Sequence, residues 1–175
     1  EQIEATLKLH HIKAKVTTTK ESWNKIVEKI QDEKVKEKLQ KLIDIENEVY
    51  NTIAEALREK FDPISVYGEY VKSPATFPAV MIEEKSNSAL VRTQDSGSLE
   101  NHASLMYEVN VYSNKQVGKK SECKTIFSLI DAEFQKLGFT RTTKEPIANL
   151  DDATIYRMVG RYTAVVSTNR KIYRR

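Results

Sequence analysis

The stretch Leu105 to Ser113, LMYEVNVYS, alternates Leu105, Tyr107, Val109 and Val111 with Met106, Glu108, Asn110 and Tyr112. A period of two sends successive side chains to opposite faces, so this stretch reads as a half-buried strand. A short polar link follows, and after Gly118 the period changes. Cys123, Ile126, Phe127, Ile130, Phe134 and Leu137 then fall on one helical face, and Gly138 is an apt left-handed stop. The spacing predicts a helix over residues 119–137 packed on the apolar side of the strand. Any fold for this chain has to satisfy that pairing first.

The rest of the chain is read around it. Ala5 to Val16 is imperfectly alternating and strand-like, and Thr18 with Glu21 forms a capping box. Trp23, Ile26, Val27 and Ile30 make one helical stripe, and Val35, Leu39 and Leu42 make a second. The five-residue step between them rotates the stripe by roughly 140°, at about 100° per residue. A break at Gln31-Asp32 is therefore expected. Asp44 can cap a further helix with Ile45, Val49, Ile53, Ala56 and Leu57 on one face, ending by Asp62 because Pro63 follows. Short strands are expected over Ile64–Tyr70 and Phe77–Glu84, with Ser86–Ala103 a long irregular loop. Beyond the 119–137 helix, Phe139–Ile147 and Ala153–Val166 read as two strands joined by a polar NLDD turn. From residue 44 the expected order is α-β-β-β-α-β-β. The fold class is α+β: a mostly antiparallel or mixed sheet with helices packed on one face, plus a small N-terminal strand-and-helix extension.

Charge narrows the possible partners. Residues 1–42 carry ten Lys against six Glu and one Asp, whereas the remaining 133 residues are neutral. Bulk positive charge therefore does not drive what the main body binds. The stretch 157–175 is a local exception, with six cations and no acid. No apolar run approaches the roughly 18 to 20 residues that span a bilayer, and no leader-like segment opens the chain. A single cysteine, Cys123, excludes an internal disulfide and any multi-cysteine metal site, which points to a reducing, intracellular setting.

Candidate chemistry is sparse. Glu83-Glu84-Lys85 at a strand end has the form of a metal-nuclease triplet, two carboxylates for Mg²⁺ and a Lys for the attacking water. Its only upstream carboxylate, Asp62, precedes a different strand, so an ordinary charged strand end is the better reading. Adjacent His10 and His11 in a strand point to opposite faces and do not form a metal pair; His102 is isolated. Cys123 lies near a helix start, where a dipole lowers a thiol pKa, but its place on the apolar stripe favours a buried, inert thiol. Lys119 and Lys120 at a helix N-terminus suit phosphate, and with the basic N-terminal helices they form the case for a nucleic-acid-binding adaptor. Against it, aromatic and basic residues do not interleave as a stacking platform requires.

From Ile43 onward the sequence resembles the tail-terminator (tail-completion) proteins of long-tailed bacteriophages, particularly the minor capsid or neck proteins found in Gram-positive hosts. The residues that carry this are IDIENEVYNTIAEAL, VYGEYVKSPATFPAV, RTQDSGSLENHASLMYEVNVYSNK, DDATIYRMVGRYTAVV and IYRR. They occur in order within residues 43–175, a stretch of about three quarters of the chain. The resemblance implies two parts, an extension (1–42) and a tail-terminator-like domain (43–175). It further implies a virion structural protein at the tail–head junction, assembled in the host cytoplasm, with neither enzymatic activity nor cofactor.

In that reading the subunit forms a homo-oligomeric ring, usually hexameric. The ring caps the tail-tube protein and meets a head-completion (stopper) protein, with DNA only as passing cargo and no membrane contact. The implied contact residues are Arg92, Asp95, Glu100 and His102 in the 86–103 loop. Arg157 and Arg161 on the last strand would make inter-subunit or lumen contacts. Arg170, Arg174 and Arg175 would meet partners. Residues 1–42 are not covered by the resemblance and are read as a natural extension, a fused neighbour or an added segment.

Overall fold

A computed structural model describes residues 43–72, 74–94, 100–149 and 152–173. The expected extension over 1–42, together with Asp95, Arg174 and Arg175, lies outside the described residues. Two helices, α1 (Glu46–Lys60) and α2 (Lys119–Leu137), accompany six strands: β1 (Ser65–Tyr67), β2 (Ala79–Ala89), β3 (His102–Ser113), β4 (Thr140–Ala148), β5 (Tyr156–Ser167) and β6 (Ile172–Tyr173). The sheet runs β1-β2-β3-β5-β4, with β6 added to β5 beyond the end of β4. Only the β1–β2 pair is parallel. The fold is α+β, with a mixed sheet covered by helices on one side.

The opening strand is the middle of this sheet, paired along its whole length with β5 and along most of it with β2. Its apolar side, Leu105, Tyr107, Val109 and Val111, is buried under the helices with Ile53 and Leu57 of α1 and Ile126, Phe127, Ile130 and Phe134 of α2. The α2 helix has the expected bounds. Gly118 (φ 86°) and Gly138 (φ 96°) flank it in the left-handed region, where a side chain is strained. In α1, Asp44 Oδ1 accepts the Glu46 N–H at 3.1 Å. Glu46 and Glu48 in its first turn and Arg58 and Lys60 in its last complement the helix dipole. Its buried stripe centres on Ile53 and Leu57. It therefore takes in Ala54, while the expected Ala56 sits on the flank, half-buried.

The second strand corrects an expectation. It does not end at Glu84 but continues to Ala89, and β3 begins at His102, so much of the expected 86–103 loop is a long hairpin. A bulge between Glu84 and Ser86 shifts the register, after which Ser86–Ala89 pair with Met106–Ala103. The extra residue resets the alternation, which hides the continuation in a polar SNS run. Val91–Thr93 form one 3-10 turn, and Leu90 N–H to His102 O closes the ladder at 2.8 Å. The expected Ile64–Tyr70 strand is shorter, Ser65–Tyr67. The two-residue β6 was not expected.

Candidate functional site

The face of the sheet turned away from the helices carries a charge lattice built by strand register. Glu83 of β2 lies opposite Glu108 of β3, and Glu108 lies opposite Arg161 of β5. Two carboxylates side by side repel unless cations intervene. Here they do: Arg161 Nε donates to Glu108 Oε2 at 2.9 Å, and Lys85 pairs with Glu83. Burial pulls the Glu108 pKa upward. The hydrogen bonds from Arg161 and Asn110 and the charges of Arg161 and Lys85 outweigh it, so the carboxyl is held below its usual range. Glu83 Oε1, by contrast, is buried without a hydrogen-bond partner.

Two residues further along β3 the lattice changes character. Asn110 is 2% exposed, and its Oδ1 accepts from Arg157 Nε at 3.0 Å and from Arg157 Nη2 at 2.8 Å. The same guanidinium lies 5.6 Å from the Tyr112 ring centroid. Beyond it, Ala79, Met81 and Tyr112 form a small second core with Tyr67, Val71, Phe77 and Ile155. Arg157 and Arg161, expected at interfaces from the sequence, are thus brought together on one face and oriented by β3. The sequence reading did not single out their partners Asn110 and Glu108, although both stand on the polar side of the 105–113 alternation.

The other expected contact residues that are described, Arg92, Glu100, His102 and Arg170, lie toward one end of the sheet instead. His102 starts β3, its ring 5.8 Å from that of Tyr173, and its Nδ1 is buried without a partner. Glu100 has its carboxyl pKa raised by burial. Arg92 is exposed on the 3-10 turn. Arg170, at φ 59° in the β5–β6 turn, pairs with Glu48 of α1.

Among the described residues, the polar groups of the helix side lie toward its rim. Tyr107 Oη donates to Glu84 Oε2 at 2.8 Å, and Tyr162 Oη donates to Asp131 Oδ1 at 2.5 Å. Burial raises the Glu84 carboxyl above its usual range, against the lowering hydrogen bonds from Tyr107 and Asn87. Asp131 also pairs with Arg141 and Lys144 of β4. Beside Tyr107, at the β2 edge, lies a cleft of about 390 Å³ lined by Glu46, Asn47, Tyr50, Gly68, Glu69 and Ile82.

The described residues of the catalytic and nucleic-acid readings have the following surroundings. Among the described residues no group of three or more His, Cys, Asp and Glu is placed to hold a metal ion, and Glu83 is occupied by Lys85. Burial pushes the Cys123 thiol up to about 12, and its Sγ approaches Val111 O and Tyr156 O at 3.8 Å. Lys119 Nζ donates to Thr154 O at 2.7 Å, which ties the α2 N-terminus to the β4–β5 connection. No described helix is long and apolar enough to cross a membrane. No family model and no curated protein matches the sequence.

Proposed function

We propose that the 43–175 domain is a virion structural subunit, a tail terminator that closes into a homo-oligomeric ring on the tail tube and joins it to the head-completion protein. The observation that carries this reading is the state of the sheet edges. At one edge, β1 covers only Ala79–Met81 of β2, and among the described residues no strand lies beside Ile82–Ala89 on that side. At the other, β4 is a nine-residue edge strand whose residues are exposed from Arg141 to Ala148. Open edges invite pairing with further chains, and a subunit with one at each side suits a heterologous, closed assembly.

The charge lattice fits the same role. Its groups are paired with one another rather than gathered around a cavity, as expected of a surface that meets protein. The role needs no catalytic step and no cofactor, and DNA would pass through the ring rather than be read by it. Its place would be the tail–head junction of the virion, after assembly in the host cytoplasm.

Light scattering on the full chain, followed by electron microscopy with added tail tubes, tests the proposal. Discrete rings of about six subunits, or density capping tube ends, are expected. A strict monomer that leaves tube ends bare would remove the reading.

A further inference from the structure

We infer that the ring is a continued sheet: β4 of one copy pairs with the open Ile82–Ala89 edge of β2 in the next. This inference rests on the ring reading and names the surfaces that would make it. Three observations converge on it.

The first is direction. β2 and β3, β3 and β5, and β5 and β4 are each antiparallel, so β4 runs opposite to β2. A second copy placed beside the first, without being turned over, therefore offers β2 to β4 as an antiparallel pair, and both copies keep their helices on the same side. The second is length. The open run of β2 spans eight residues and β4 spans nine. Pro146 has no N–H to offer, which places the new ladder on Thr140–Glu145.

Charge is the third. The cleft beside the β2 edge is lined on the helix side by Glu46 and Glu69, with Glu84 held next to it by Tyr107; among the described residues no cation lines it, and Arg58 reaches only the hydroxyl of its Tyr50. On β4, Arg141 and Lys144 stand on the helix side, where they share the single carboxylate Asp131. Side-by-side packing brings that cation pair toward the acidic cleft in the same layer, and the mismatch is relieved on both sides.

The contact is heterologous, so each copy uses a different edge at each side and the sheet propagates until its curvature closes it. The test uses Ser86→Cys and Thr140→Cys in the full chain, with a short thiol–thiol cross-linker; buried Cys123 does not compete. Each single variant alone is expected to stay uncross-linked. The mixture of the two should give linked dimers, and the double variant a ladder of linked multimers. Separately, Glu46→Lys with Glu69→Lys is expected to weaken association about tenfold or more at low salt. Rings that form without any ladder and resist the charge change would overturn the edge pairing while leaving the ring intact. A ladder from either single variant would point to a two-fold contact and also overturn it. A strict monomer would remove both.

Discussion

The two faces of β3 are built on opposite principles. Toward the helices, Tyr107 lies edge-on to Phe139 at 5.4 Å, Phe139 meets Phe134 at 5.4 Å, and Phe134 stacks on Tyr162 at 4.0 Å with planes 6° apart. All four rings are essentially inaccessible, and their polar tips reach carboxylates only at the rim. Toward the other side, the same strand presents Glu108 and Asn110 to two arginines. The first face is finished by the chain itself. The second is balanced by charge pairs and stays partly open, with the Arg161 side chain about half exposed. A sharp test is whether substitutions on the two faces separate in size.

The largest loss is expected on the helix face. Phe134→Ala removes the ring that three other aromatics pack against, and should lower unfolding free energy by about 3–5 kcal/mol in chemical denaturation. Gly160→Ala comes next. Added there, a Cβ would stand 2.7 Å from Cε1 of Phe127, a fully buried ring, so strand or helix has to shift. Such overpacking costs about 1–3 kcal/mol. A value near zero for Gly160→Ala would mean that the α2–β5 contact is looser than the geometry implies.

How much of this was legible in the sequence follows from the range of each signal. The 105–113 strand, the 119–137 helix and their shared apolar face come from period and capping, both local, and they reappear with nearly the expected bounds. The continuation of β2 past Glu84 was not read, because a bulge breaks the alternation that would have announced it. Gly160 was passed over inside an otherwise alternating strand, although an interior glycine is a recognised sign of close approach, here by Phe127. The pairings Arg161–Glu108 and Arg157–Asn110 join residues 53 and 47 positions apart. They depend on the β3–β5 register, which no local pattern encodes. Of the contact residues chosen from the resemblance, the described ones divide between the sheet end and the outer face, and no local pattern names the side chains they meet there.

Within the outer face the comparison can be sharpened further. Arg157→Ala strips both donors from Asn110 Oδ1, an atom on a residue that is 2% exposed. An unsatisfied buried acceptor costs about 1–3 kcal/mol, so this position should behave more like the core than its neighbours do. Replacing Asn110 and Arg157 together by apolar residues should recover part of the loss, and the double-mutant cycle measures how much.

Arg161→Ala should be the mildest of the four. Arg161 is about half exposed, and its partner Glu108 keeps the hydrogen bond from Asn110, so the change in stability at neutral pH is expected to stay below about 1 kcal/mol. Its effect should appear in acid instead. Glu108 is held below the usual carboxylate range in the folded chain. Its contribution is therefore present above that range and lost as pH falls through the lowered value. Removing Arg161 brings the folded value back toward the unfolded one, so the variant and the parent should converge in stability as pH falls. If the gap between them stays constant down to the acid transition, the Arg161–Glu108 pair is not what lowers the carboxyl. The outer lattice would then be set by Asn110 and Lys85 rather than by the arginine opposite Glu108.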